Sequence, residues 1–267
     1  MAVDLLYVAF NRREFTEQTF RALIDNTDWA QVARLFVWDD GSTDGTWEYL
    51  CDTIPQVPVP VERRLGPGVQ RGPVAAMNWY LDNVSEVDCD WWDHGPDCWR
   101  CGGTGRAQIE MFAKLDNDMV VPPGWLTEML AVTTANPMLD ILGMEPMLGP
   151  PVFGTAERGF EDATHIGGKG LIRVRAFEQC RPTPGGLNGY FGFTEWQRSH
   201  PAITKGWIRP ELCCFGLDQL AFEPWASMTA EHEALGWARR WPAYPEESHL
   251  YWDWWLEQDP SRRPADA

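Results

Sequence analysis

Asp116-Asn117-Asp118 closes an apolar run of Met111, Phe112, Ala113 and Leu115 and is followed at once by Met119-Val120-Val121-Pro122-Pro123. Two carboxylates at i and i+2, where a strand stops, leave the same sheet edge and can share one divalent cation. A cation held by only one or two protein carboxylates keeps open positions, and phosphate oxygens are natural ligands for them. Upstream, a second apolar run, Phe36-Val37-Trp38, ends in Asp39-Asp40-Gly41-Ser42-Thr43-Asp44-Gly45-Thr46. Two acidic strand ends in the amino-terminal half point to a nucleotide bound across the carboxyl edge of a parallel sheet. An isolated Asp-x-Asp is usually a solvated turn; the second acidic strand end raises the functional reading here.

A different chemistry is written between Asn78 and Met111. Cys98-x-x-Cys101-Gly102 has the knuckle spacing that turns two thiolates toward one ion, and Cys89 and His94 complete a tetrahedral N/S site for zinc. With four protein ligands such a zinc would be structural, pinning a loop too small to bury its own core. Free thiols and a redox Cys-x-x-Cys pair are the competing readings. Redox pairs open a helix after a strand, and Gly102-Gly103 argues against a helix. Asp90, Asp93 and Asp97 are alternatives to His94, and Cys213-Cys214, flanked by Leu212 and Phe215, reads as core.

The elements that must position these groups follow from hydrophobic period and caps. Residues 4–10 read as a strand covered on both faces. Glu14 to Asn26 reads as a helix, Val32 to Trp38 as a strand, and Asp44 or Thr43 caps a short helix running through Leu50. Val59 to Arg63 is a third strand, placed at an edge by Pro58 and Pro60. Pro73 begins a helix, Met111 to Leu115 is a strand, Gly124 to Ala135 a helix stopped by Asn136-Pro137, and Leu139 to Met144 a fifth strand. Regular alternation predicts a doubly wound, mostly parallel α/β sheet. Beyond it, Ile166-Gly167-Gly168-Lys169-Gly170 reads as a hairpin or a Gly-rich loop feeding a strand, Thr229 to Trp237 as a helix, and Pro260 to Ala267 as a disordered tail.

Taken in order, Val8-Ala9-Phe10-Asn11-Arg12, Asp39 to Thr46, Gly72 to Asn78 and Leu115-Asp116-Asn117-Asp118 resemble the family-2 glycosyltransferases of the A-type fold, which transfer sugar from nucleotide-sugars. The resemblance covers residues 1–135. It implies a Rossmann-like A-type domain over 1–259, with a nucleotide-sugar-binding half at 1–135 interrupted by the Cys/His insert at 86–107. An acceptor half at 136–259 and a tail at 260–267 complete it. It also implies an inverting, hexosyltransferase-type enzyme assisted by Mn²⁺ or Mg²⁺, with a UDP-sugar as the default donor.

The residues read consistently with that. Phe10 can wall a nucleobase and Asp40 can accept from a ring N–H; the resemblance places base recognition at Val8, Phe10 and Asp40, with Asp39 bracing the turn. Asp116 would face the ribose or reach the metal through water, and Asp118 would ligate it directly. Arg71 adds a positive group at the diphosphate. The resemblance puts the general base in a short acidic-apolar motif of the second half, matched by Phe215-Gly216-Leu217-Asp218-Gln219-Leu220-Ala221-Phe222. Asp218 is then the base or a cap for a following helix, with Glu211 and Glu195 in reserve. His249 either reaches the metal, as a late His does in some relatives, or is an ordinary surface His.

Composition narrows the field. The chain has 267 residues, 44% hydrophobic and 23% charged, as in ordinary globular proteins. Lys and Arg number 22 against 39 Asp and Glu, a net charge of −17 that repels nucleic-acid backbones. Seven cysteines without secretory features argue for thiols or metal rather than a disulfide framework. No run approaches a membrane helix, so a cytoplasmic location is the default expectation, and the acceptor is expected to be protein or saccharide. Two rival readings are a metal-dependent sugar nucleotidyltransferase and a non-catalytic nucleotide-sugar or partner-binding module. The first usually carries a Gly-rich loop after the first strand, which Phe10-Asn11-Arg12-Arg13-Glu14 lacks; the acidic motif argues against the second.

Overall fold

Seven consecutive buried residues, with apolar side chains on both faces, place β1 (Val3–Ala9) at the centre of a sheet. The structure, a computed structural model, describes residues 2–65, 72–83, 86–88, 106–144, 159–163, 166, 169–178, 181–182, 193, 196–208 and 215–216. After β1 the chain alternates as expected through α1 (Arg13–Asn26), β2 (Val32–Asp39), α2 (Thr46–Thr53), β3 (Val61–Leu65) and α3 (Pro73–Asn83). A short β4 (Glu86–Asp88) and β5 (Arg106–Gln108) precede β6 (Met111–Asp116), β7 (Met119–Val120) and α4 (Trp125–Ala135). Then come β8 (Ile141–Gly143), β9 (Phe160–Asp162), β10 (Gly170–Arg173), β11 (Lys205–Ile208) and β12 (Phe215–Gly216).

The main sheet has eight strands in the order β3-β2-β1-β6-β10-β8-β11-β9. Strands β1, β2, β3, β6, β8 and β11 run one way, and β10 and β9 run against them. Helices cover both faces. Phe20 and Leu23 of α1, Leu50 of α2 and Trp125, Leu126 and Met129 of α4 pack with Leu5, Tyr7, Val37 and Leu115 on one side. Val74, Met77, Tyr80 and Leu81 of α3 pack with Leu6, Phe36, Trp38 and Phe112 on the other. The doubly wound expectation therefore holds as far as α4.

After α4 it needs correction. The fifth predicted strand is real but does not lie beside β6, because β10 inserts antiparallel between β6 and β8. Gly170 makes that insertion possible: a Cβ there would lie 2.1 Å from the Leu142 carbonyl oxygen, and its φ of 142° disfavours a side chain. The Gly-rich stretch thus feeds a strand. Strand β3 also starts two residues later than expected, just past Pro60, whose carbonyl accepts from Leu35 N at 2.9 Å. Its edge position fits the prolines before it.

Candidate active site

Register builds the site. Val8 lies opposite Trp38 on one side and Asp116 on the other, so both acidic strand ends flank the end of β1. Asp40 N donates to Ala9 O at 2.8 Å and Asn117 N to Val8 O at 3.0 Å, extending the ladder one residue past each strand. The chain then turns into α1 through Asn11 and Arg12, both left-handed at φ 50° and 61°. Such backbone costs about 1–3 kcal/mol per residue. It is held by Asn11 N donating to Ser42 Oγ (2.7 Å), Thr43 N to Asn11 Oδ1 (2.9 Å) and Asn117 Nδ2 to Asn11 O (2.6 Å). Asn117 also donates to Thr16 Oγ1 at 2.8 Å. The middle residue of the acidic motif is thus the clamp on the turn that aims Arg12.

Arg12 Nη1 reaches Asp118 Oδ2 at 3.0 Å. Lys114, two residues before Asp116 on the same face of β6, is buried and pairs with Asp116 Oδ1. Lys169, on the approach to β10, places its ammonium 4.0 Å from Asp116 Oδ2 and 3.7 Å from Asp118 Oδ1. Those two oxygens are buried and accept no hydrogen bond. Burial works against ionisation of Asp118, but Lys169, Arg12 and Lys114 outweigh it and hold its carboxyl below the usual range. For Asp116 burial prevails: its carboxyl titrates above the usual value despite Lys114 and Lys169, and the Asp118 charge adds to the shift. Hard, unsaturated carboxylate oxygens suit Mn²⁺ or Mg²⁺. Among the described residues no group of three or more His, Cys, Asp or Glu side chains converges on one ion.

The other acidic strand end is structural in detail. Asp39 Oδ1 accepts from Gly41 N (2.9 Å) and Ser42 N (2.7 Å), bracing the turn as expected. Asp44 accepts from Thr46 N, Thr46 Oγ1 and Arg13 N, tying the first turns of α2 and α1 together. Asp40 is buried, with Trp38 Nε1 donating to Oδ1 at 3.2 Å and Gly72 N to Oδ2 at 2.7 Å, so it joins β2 to the start of α3. A nucleobase N–H would share its oxygens with those donors. Phe10 is half-buried at the tip of β1, and Val8 is buried beneath it. Arg64 lies over the Trp38 and Trp79 rings at 5.5 and 4.9 Å, a cation–π stack on the Asp40 side.

Three basic groups of the site, Arg12, Lys114 and Lys169, were not singled out in sequence as part of it. The signals were the strained Asn11-Arg12 turn, a lysine inside an apolar strand, and Gly-Gly-Lys-Gly. Arg71, Asp218, Glu211, Glu195 and His249 lie outside the described residues, as do Cys89, His94, Cys98 and Cys101. Their surroundings are partly placed. β12 pairs antiparallel with β7, Gly216 opposite Met119, so the chain leaves β12 two residues before Asp218 beside the acidic motif. β4 and β5 pair as a two-stranded ribbon, closing the neck of the insert with Asp88 opposite Arg106. A cavity of about 750 Å³ lined by Asn136, Met138, Phe160, Gln197, Ile203 and Lys205 opens at the opposite edge, where β8 and β11 begin, remote from this chemistry. No described helix is long and apolar enough to cross a membrane.

No protein-family profile and no curated protein matches the chain by sequence. Solved structures match it by shape. Residues 1–349 of TarS from S. aureus superpose with a TM-score of 0.54 at 12% identity, over 82% of this chain and 61% of that one. The same protein in complex with UDP-GlcNAc gives 0.54 at 14%, over 81% and 58%. The mannosyltransferase PcManGT from Pyrobaculum calidifontis, in complex with GDP-Man and Mn²⁺, gives 0.54 at 16%, over 79% and 55%. This chain therefore spans about three fifths of the length of these neighbours. At such identities the likeness establishes the fold alone, an arrangement of sheet and helices shared with these neighbours.

Proposed function

We propose that the protein is an inverting glycosyltransferase that moves a sugar from a nucleoside-diphosphate donor to an acceptor hydroxyl, with protein or saccharide as acceptor. The observation that carries this reading is the buried pair Asp116 and Asp118 at the carboxyl edge of the sheet, with unsaturated oxygens and three cations around them. A diphosphate needs positive charge and a divalent ion needs hard oxygen ligands; this edge supplies both. Neighbours of the same fold are described with UDP-GlcNAc and with GDP-Man and Mn²⁺, which supports the choice of donor class and metal.

In this reading Phe10, Val8 and Asp40 receive the base, Asp116 faces the ribose or the metal, and Asp118 is the direct ligand, with His249 as a further one. When bound, the metal offsets the charge that builds on the departing diphosphate. Arg12, Arg71 and Lys169 add fixed positive charge there. The acceptor oxygen attacks the anomeric carbon from the face opposite the diphosphate, its proton passes to the Asp218 carboxylate, and the bond to the diphosphate oxygen breaks. Two residues of chain span at most about 7 Å, so the β12–β7 pairing supports Asp218 as the base. Glu211 and Glu195 are the alternatives.

The direct test is thermal stability of the full chain with UDP and GDP, each with and without Mn²⁺. A ligand at about 100 times its Kd stabilises the folded state by about 2.7 kcal/mol. We expect a rise in Tm for at least one diphosphate that is larger with Mn²⁺; no rise with either would overturn the reading.

The insert is a separate proposal: a structural zinc held by Cys89, His94, Cys98 and Cys101, supported by their spacing and by the ribbon that pairs Asp88 with Arg106 on either side of them. Elemental analysis of protein made in zinc-replete medium is expected to find about one zinc per chain, the stoichiometry of a four-ligand site. Zinc-free, fully folded protein would dismiss it.

A further inference from the structure

Lys169 faces the two carboxylate oxygens that a divalent ion would use. Lys114 uses Asp116 Oδ1 and Arg12 uses Asp118 Oδ2. The remaining oxygens, Asp116 Oδ2 and Asp118 Oδ1, are the two that accept no hydrogen bond, and the Lys169 ammonium lies 4.0 and 3.7 Å from them. At those separations it neutralises both carboxylates without saturating either one. Its placement is built in. Gly170 cannot carry a side chain against Leu142 O and lies opposite Lys114 in the ladder, while Met144 N donates to Lys169 O at 3.3 Å. Lys169 is buried, so its charge is poorly screened.

The charge count makes this consequential. Among the described residues, Lys114, Lys169 and Arg12 set three cations against these two carboxylates before any metal enters. A divalent ion alone would add two positive charges beside them at a buried edge, where like charges repel strongly. A nucleoside diphosphate carries the negative charge that would restore the balance.

We propose that Lys169 is a resident counter-cation that makes metal entry conditional on the donor: it competes with the divalent ion for Asp116 and Asp118, and it turns its charge to the diphosphate when metal and nucleotide bind together. This rests on the nucleotide-sugar reading of the site. Lys169 is then a diphosphate-binding group in the loaded site and the source of coupling between metal and nucleotide. By linkage, whatever factor the diphosphate adds to metal affinity the metal adds to diphosphate affinity.

The test measures binding rather than turnover. Mn²⁺ affinity of the full chain is read from the electron paramagnetic resonance of free Mn²⁺, without nucleotide and with saturating UDP or GDP. In the wild type we expect weak Mn²⁺ binding alone and a gain of about 5- to 150-fold with the matching diphosphate. Lys169→Met should bind Mn²⁺ alone at least about tenfold more tightly, bind diphosphate alone more weakly, and lose most of the coupling. Lys169→Arg, which keeps the charge, should behave as wild type; a purely structural role would not separate these variants by charge. If Lys169→Met does not fold, Lys169→Gln takes its place. Mn²⁺ affinity that stays the same or falls when the charge is removed would overturn the proposal, as would no Mn²⁺ binding to any variant. If neither diphosphate binds to any of them, the transferase reading fails, while the Mn²⁺-alone comparison still decides the role of Lys169.

Discussion

Replacing Asp118 with Asn is expected to lower sugar transfer on the order of 10²–10³-fold, the loss typical when one preorganised electrostatic group is removed at a reacting centre. The substitution keeps shape and removes the negative charge that the site is built to hold. Asp118 is buried yet kept ionised by Lys169, Arg12 and Lys114, so at neutral pH it is a permanent anion rather than a titrating one. An asparagine oxygen is a poorer ligand for a hard cation and leaves Arg12 and Lys169 facing a neutral amide. Initial rates with a nucleotide-sugar donor, together with the Mn²⁺-dependent part of the thermal shift, provide the measurement. Near-wild-type rates with an unchanged Mn²⁺ response would remove Asp118 from the proposed role.

Lys114→Met is expected to destabilise the fold rather than the chemistry alone, by about 3–5 kcal/mol at neutral pH. Methionine matches the lysine stem in length, so packing against the α3 layer is largely kept. What is lost is the nearer counter-charge of Asp116, which stays buried next to Asp118 with Lys169 4.0 Å away. The pH dependence has a definite sign. Burial already raises the Asp116 pKa and Lys114 opposes that rise, so removing the lysine raises it further. A carboxyl whose folded pKa lies above its unfolded value contributes stability in acid and loses it as pH rises through the folded pKa. The deficit of the variant should therefore be largest near about pH 8 and shrink toward about pH 5 as Asp116 takes up a proton. Urea unfolding in the presence of EDTA at both pH values checks this. An equal deficit at both would mean that Asp116 is not the group responding.

Arg12 shows how far the site depends on backbone strain. It lies 106 residues from Asp118 in sequence and reaches it only because Asn11 and Arg12 are both held left-handed. Arginine is an unusual residue for that conformation. The clamp is Asn117, which in the sequence is only the variable middle of an Asp-x-Asp. Strain of this kind is stored where geometry at the site matters more than local comfort.

The features readable along the chain are those that depend on short-range period and local turns. The buried run of β1, the helices α1 and α4, the brace at Asp39 and the two acidic strand ends were legible because each is decided within a few residues, whereas the cap of α2 expected at Asp44 or Thr43 falls at Gly45. Strand pairing was not legible at that range. β10 enters antiparallel between β6 and β8, an arrangement set by contacts between segments some 30 to 60 residues apart and by the absence of a side chain at Gly170. Only the tertiary structure therefore brings Arg12 and Lys169 from two distant segments to the pair of carboxylates that Lys114 already accompanies on β6. Charge has no period to read along a chain. Its effect on a buried acid depends on distances of a few ångströms, and the packing of the sheet alone decides those distances.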